Sequence, residues 1–239
     1  MVDDPADRTV PIAAVTFDAG QTLVELDTEL LSARLAERGV VVQAVDLDAA
    51  LPAAWRRYEQ LVAAGAMHPW KQLMGSLLDG ALGSSPPERA SIIDWLWNEQ
   101  PRRNLWRRPV PGMIELAGRL AAAGVVVGVI SNSEGRLAEL FDEIGWHGRF
   151  AVIADSGRLG IDKPDSRIFA WTCQQLGVPP AAVVHIGDSR AADVDGAVAA
   201  GLRAIWFGPA AQPSRDPRIA VARDAAEVAA ALRHWGRAA

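Results

Sequence analysis

Cysteine is almost absent from this sequence, with Cys173 as its single example. That excludes an intrachain disulfide framework and any Cys-x-x-Cys metal site, and it fits a reducing compartment. Extended basic tracts are also lacking, and 24 Lys and Arg against 29 Asp and Glu leave a formal charge of −5. Binding a nucleic-acid backbone needs clustered cations, so nucleic acid is not an expected partner. Long hydrophobic runs are missing too. The longest, Ala121 to Ile130, falls short of the roughly 20 residues that span a bilayer. The acidic opening MVDDPADRTVP has neither the basic start nor the apolar middle of a signal peptide. A cytoplasmic protein with no membrane partner is expected. No fixed-period repeat or low-complexity segment occurs. Without a G-x-S-x-G or a Walker glycine loop, a serine esterase and a P-loop kinase are disfavoured. The four histidines, His68, His147, His185 and His234, are scattered and suggest no histidine metal cluster.

What is present is a chain of 239 residues, half of them hydrophobic, long enough for one large domain or a core with an inserted lobe. Ile12 to Phe17 (IAAVTF) reads as a buried strand ending at Asp18. From Glu25 to Arg108 apolar residues recur every three or four positions, with Gly39, Gly65 and Gly83 as stops. This predicts a helical insertion containing no strand. Strand and helix then alternate. VVVGVIS, FAVIA, VVHIG, RAIWFG and RIAVA read as strands. The helices are PGMIELAGRLAAAG, opened by Pro111, then SEGRLAELFDEIG with Ser133 as N-cap, DSRIFAWTCQQLG, SRAADVDGAVAAG and AAEVAAALRHW. Strands apolar on both faces and joined by helices predict an α/β fold: a Rossmann-like parallel sheet with helices on both faces. The expected division is a core of residues 1–24 and 109–239, with an all-helical cap at 25–108.

In such sheets ligands bind at the carboxyl ends of the strands. Asp18 follows the first strand, Ser131 and Asn132 the second, and Asp188 the VVHIG strand, with Asp193 five residues further on. The segment DSGRLGIDKPD reads as a loop carrying Lys163. Three carboxylates crowded together repel unless a cation lies among them, and oxygen ligands without His or Cys suit Mg²⁺. A metal and Lys163 would neutralise a phosphate, Ser131 would hydrogen-bond one of its oxygens, and Asp18 is the natural nucleophile.

The stretches FDAGQTL, VISNSEG, SGRLGIDKPDSRIF and VVHIGDSRAADVDGAVAAG, in this order, resemble the haloacid dehalogenase superfamily of hydrolases, in the branch with a helical cap after the first strand. The resemblance implies Mg²⁺-dependent phosphoryl transfer through an aspartyl intermediate, on a small phosphorylated metabolite. It makes Asp18 the nucleophile, with Thr22 beside it in the first motif. Ser131 and Lys163 hold the phosphate, next to Asn132. Asp18, Asp188 and the Gly20 backbone carbonyl ligate the metal, and Asp193 supports that site or orients the lysine. Oligomeric state is left open.

One departure matters. Phosphatases of this type usually carry a second aspartate two residues after the nucleophile, as general acid and base, and here that residue is Gly20. Loss of such help costs about 10²- to 10⁴-fold in rate. Activated or anomeric phosphates are then the expected substrates, unless Glu25 or Asp27 substitutes; Gln21 could orient water. The alternative is a weak or inactive relative that binds a phosphometabolite or a protein partner. The dehalogenase branch carries an aromatic residue at this position, which leaves haloacid dehalogenation as a minor alternative. Five of the nine tryptophans (Trp55, Trp70, Trp95, Trp97, Trp106) fall in the insertion and are expected to pack rather than stack on a sugar. Arg102 to Arg108 (RRNLWRR) reads as a solvated hinge surface from which one arginine could reach a second anionic group.

Overall fold

The computed structural model describes residues 10–64, 66, 69–84 and 88–236. The N-terminal MVDDPADRT, Gly65 and His68 lie outside them. In chain order the elements begin with strands β1 (Ala14–Phe17) and β2 (Val24–Leu26). Helices α1 (Thr28–Ala36), α2 (Ala44–Ala63), α3 (Trp70–Leu82) and α4 (Arg89–Glu99) come next. Then come β3 (Trp106–Pro109), α5 (Met113–Ala122), β4 (Val126–Ser131), α6 (Leu137–Glu143), β5 (Val152–Asp155), α7 (Ser156–Leu159) and α8 (Ser166–Leu176). The chain ends with β6 (Val183–Gly187), a π-helical turn (Arg190–Asp195), α9 (Gly196–Ala199), β7 (Arg203–Phe207), β8 (Ile219–Ala222) and α10 (Ala225–His234).

Contacts divide the chain into two compact units: residues up to Glu25 together with those from Trp106 onward, and Leu26–Leu105. The first holds a six-stranded sheet ordered β5-β4-β1-β6-β7-β8, with every pairing parallel. Side chains alternate between its faces. Val15, Phe17, Val127, Val129, Val184 and Ile186 pack with Leu116 and Leu120 of α5, Phe141 of α6 and Leu232 of α10. On the other face Ala14, Ile130, Ala154 and Val183 pack with Ile168, Phe169 and Cys173 of α8 and Ala197 of α9. Both faces being apolar explains why the strands read as hydrophobic runs, and the parallel pairing of the adjacent β4, β1 and β6 brings their carboxyl ends together at one end of the sheet.

The second unit is built from α1 to α4. Leu31, Leu35, Leu47, Leu73, Met74, Leu77, Ile92 and Leu96 recur at helical spacing and are buried. Asp27 caps α1 by accepting from Leu30 N at 2.9 Å. Within this unit the Trp70 and Trp97 rings pack at a tilt of 58°, with centroids 5.3 Å apart. No helix among the described residues is long and apolar enough to cross a membrane.

Four local expectations need correction. The stretch 25–108 is not free of strand, because β2 and β3 form a two-stranded ribbon. It is stabilised by burial of Val24 and Leu26 and by the Glu25–Arg108 ion pair at 2.9 Å. Ser133 does not cap α6, which begins only at Leu137. Gly135, at φ 86°, breaks the helical path, and Asp155 of the neighbouring strand takes over by accepting from Gly135 N and Leu137 N. Pro111 precedes α5 rather than opening it, since Gly112 at φ 77° occupies the N-cap. The DSGRLG segment is not all loop: Asp155 also accepts from Gly157 N at 3.0 Å and nucleates α7.

Candidate active site

Asp18 follows β1 directly, and its backbone N–H donates to Ile186 O at 2.8 Å, so the carboxylate is fixed at the boundary of β1 and β6. Lys163 lies between β5 and α8. Asn132 clamps its backbone, accepting from Lys163 N at 2.8 Å and donating to Lys163 O at 3.0 Å. The ammonium then donates three hydrogen bonds: to Asp18 Oδ1 at 2.6 Å, Asp193 Oδ1 at 2.6 Å and Ile130 O at 2.7 Å. All three protons of the lysine are thereby used, and the group is nearly closed to solvent.

Asp193 is delivered by the π-helical turn. Ser189 caps that turn by accepting from Ala192 N at 3.2 Å, and Ser189 N donates to Asp193 Oδ2 at 2.9 Å. Gly187 makes this approach possible, since a Cβ there would overlap the Asp193 carboxyl. Ligand atoms of Asp18, Asp188 and Asp193 all fall within 4.8 Å of one another. The Asp188 backbone is held by Trp206, whose indole N–H donates to Asp188 O at 2.9 Å.

The charges are unbalanced: three carboxylates surround one lysine. Burial raises the Asp18 pKa more than Lys163 lowers it, and Asp193 raises it further. Asp188 is pushed well above the usual carboxylate range, first by burial of its carboxyl and then by Asp193 and Asp18. Burial would raise Asp193 as well, but Lys163 and His185 carry it well below that range. Lys163 moves up: burial opposes its charge, and the two aspartates prevail. Among the described residues, then, the cluster sets three carboxyls against one lysine, and burial with mutual repulsion disfavours full ionisation of Asp18 and Asp188.

Of the remaining residues singled out from the sequence, Ser131 ends β4 beside Ile130 and is buried. Thr22 is fully buried, and its hydroxyl has no hydrogen-bond partner among the described residues, so no hydrogen bond ties it to the cluster. Gly20 bridges to Val24, and the site of its missing Cβ is 3.8 Å from both Asp18 Oδ2 and Trp106 Cδ1. Neither acid suggested as a substitute is free for the role. Glu25 pairs with Arg108, and Asp27 caps α1. Gln21 takes φ 55°, unusual for a residue with a side chain. Its Nε2 is buried with no hydrogen-bond partner among the described residues. The arginines of the 102–108 run are largely engaged, with Arg103 on Glu37 and Arg107 on Glu143.

One group was not singled out from the sequence at all. His185, fully buried on β6, lies 3.2 Å from Asp193 Oδ1 through Nε2 and 3.0 Å from Thr16 Oγ1 through Nδ1. The available clue was a polar residue inside the apolar run VVHIG.

A parallel sheet that gathers acids and a lysine at the carboxyl ends of its strands has the arrangement of an α/β enzyme, with its ligand site at those ends. The model of the haloacid dehalogenase-like hydrolases matches residues 12–201, and the chain belongs to that family of hydrolases. It is 30% identical over 174 residues to the phosphoserine phosphatase of Thermus thermophilus, covering 70% of this chain and 67% of that one. The structure of the magnesium-bound HAD-hydrolase YfnB of Bacillus subtilis shares the fold, with a TM-score of 0.67 at 18% identity, covering 93% of this chain and 99% of that one. The 2-haloacid dehalogenase of Pseudomonas syringae pv. Tomato superposes with a TM-score of 0.60 at 26% identity, over 94% of this chain and all of that one (100%).

Proposed function

We propose that this protein is a Mg²⁺-dependent phosphomonoesterase of small phosphorylated metabolites, working through an aspartyl phosphate on Asp18. The observation that carries this reading is the lysine ammonium shared between Asp18 Oδ1 and Asp193 Oδ1, with Asp188 in the same cluster. The donor set fits a hard divalent cation. It is all oxygen, and burial, reinforced by the charges of Asp193 and Asp18, holds the Asp188 carboxyl well above its ordinary pKa. Asp193 already accepts from Lys163, His185 and Ser189. Asp18, Asp188 and the Gly20 carbonyl would therefore hold the ion. When bound, Mg²⁺ supplies Lewis-acid neutralisation of phosphoryl oxygens.

The chain's own residues do the rest. Lys163 would exchange one of its three hydrogen bonds for a phosphate oxygen and Ser131 would bond another, next to Asn132, which fixes the lysine backbone. Asp18 Oδ2, the oxygen not bonded to Lys163, attacks phosphorus as the P–O bond to the leaving group breaks. Water then cleaves the acyl phosphate and restores the carboxylate. Nothing at Gly20 can hand a proton to the departing oxygen, so substrates whose leaving group is a stable anion are favoured, among them acyl and anomeric phosphates. The relationship to a phosphoserine phosphatase supports a phosphate ester as substrate. The helical unit, Leu26–Leu105, would act as the cap that selects it.

The test is a panel of phosphorylated metabolites and aryl phosphates with Mg²⁺, reading free phosphate. Turnover that steepens with leaving-group acidity is expected, and equal rates on alkyl and activated esters would contradict the Gly20 argument. Gly20 also favours a second reading, a phosphometabolite-binding protein with little turnover. Ligand-dependent thermal shifts without phosphate release from any panel member would establish that reading instead. Chloride release from a 2-chloro acid in the same panel, in the absence of phosphate release, would point to dehalogenation.

A further inference from the structure

β6 alternates, sending Val184 and Ile186 to one face of the sheet, so His185 goes with Val183 to the face covered by α8 and α9. On β1 the same alternation places Thr16 opposite His185 in the parallel register. Neither residue reaches solvent, and the ring edge of Phe169 closes over the imidazole at 5.4 Å between centroids. A polar pair inside an apolar layer is costly unless its hydrogen bonds are complete. Here they are complete in one direction only. Thr16 O–H donates to Nδ1, which leaves Nε2–H to donate to Asp193 Oδ1. Beyond Asp193 the chain of bonds continues through Lys163 Nζ to Asp18 Oδ1.

We propose that His185, held by Thr16, is a positioning residue for this site: it locks the Asp193 carboxylate, and through it the Lys163 ammonium, in the orientation that serves Asp18. The inference rests on the phosphatase reading only for its kinetic consequence. The argument is geometric. Asp193 sits on a short π-helical turn, and its Oδ2 is tied to Ser189 of that same turn. A carboxylate fixed only from its own turn would move with it. The Nε2–H of His185 is the donor that comes from the rigid sheet. A neutral donor also leaves the charge of Asp193 available to Lys163, where an arginine or lysine in its place would compete. Apolar residues at positions 16 and 185 would pack this layer equally well, so packing alone does not account for the pair.

Two amides separate positioning from filling space. In His185→Gln the side-chain N–H reaches the place of Nε2 and still meets Asp193. In His185→Asn the amide reaches only the place of Nδ1, keeping Thr16 and losing Asp193. With p-nitrophenyl phosphate and Mg²⁺, His185→Asn is expected to lower kcat about 10- to 100-fold with KM changed little, as for the loss of other outer partners of a site. His185→Gln should restore most of the rate. Thr16→Val, which frees the imidazole to take the other tautomer, should lower kcat in the same sense. It gives a second reading should His185→Asn fail to fold.

An independent readout uses the fact that Lys163 is one of only two lysines, with Lys71. After ¹⁵N-lysine labelling, the slowly exchanging ammonium signal of Lys163 should persist in wild type and His185→Gln and broaden in His185→Asn. Folded Asn and Gln variants with equal kcat and an unchanged Lys163 signal would overturn the proposal. If wild type releases no phosphate at all, the phosphatase reading falls while the ammonium signal still decides the role of His185.

Discussion

At Gly20 the backbone is not left-handed, and a built Cβ meets only Asp18 Oδ2, Trp106 Cδ1 and Trp106 Nε1, at 3.8 to 3.9 Å. Those are ordinary contacts, so a Cβ fits there without displacing its neighbours. Gly20→Asp should therefore fold normally and place a carboxylic acid beside the oxygen expected to attack. Hydrolysis of alkyl phosphates is expected to rise, by as much as about 10²- to 10⁴-fold if the new acid is well aligned, while aryl phosphates change little. The check is the slope of log kcat/KM against leaving-group pKa, which should flatten. An unchanged slope would mean that another group already donates the proton. Asp18→Asn tests the neighbouring atom. It removes the proposed nucleophile but leaves Lys163 its bonds to Asp193 and Ile130. The folded protein should persist while turnover falls by about 10⁴-fold or more, read as single-turnover phosphate release.

At the scale of elements, the turn after β6 depends on Gly187. A methyl group there would overlap the Asp193 carboxyl, which has no flexible far end with which to retreat, because Lys163, His185 and Ser189 all hold it. Gly187→Ala is expected to cost about 1–3 kcal/mol in urea unfolding, as overpacking does, and to lower kcat by displacing Asp193. A variant of wild-type stability and rate would show that the π-helical turn is more compliant than this. These elements also separate what the sequence reveals from what it conceals. All six sheet strands are apolar runs, and most break at a polar residue or a glycine, so the strands and the residues at their carboxyl ends could be read directly. The β2–β3 ribbon could not: VEL and WRRP are too short for periodicity, and they are joined by a long-range Glu25–Arg108 pair. His185 was hidden for a similar reason, since its partners lie 8 and 169 residues away and only the sheet brings them together. The start of α6 was misread because its cap comes from Asp155, a strand residue 18 positions distant.

For the whole molecule, the buried acid cluster ties stability to pH and, on the proposed function, to Mg²⁺. Asp18 and Asp188 have raised values in the folded state, so their contribution is intact below the unfolded value of 3.8 and is lost as pH rises through the folded values. Asp193, held low, contributes above 3.8 and loses that contribution as pH falls. His185, lowered by burial, is likewise unfavourable only on acidification below 6.5. Lys163, raised, favours folding until pH climbs past 10.5 and through its folded value. Between 6.5 and 10.5 the contributions of Asp193, His185 and Lys163 stay constant, and any ionisation of the raised Asp18 and Asp188 lowers stability as pH rises. On the proposed function, Mg²⁺ would displace protons held on these two acids, so its stabilisation is expected to grow as pH rises. At a Mg²⁺ concentration of about 100 Kd the gain is about 2.7 kcal/mol, a rise of about 5–10 °C in Tm for a chain of this size. Over a series of buffers the rise on adding Mg²⁺ should grow with pH, and Asp188→Asn should remove most of that dependence. A Tm shift independent of pH, or one that survives in Asp188→Asn, would place the cation away from this cluster and leave Lys163 as its only balancing charge.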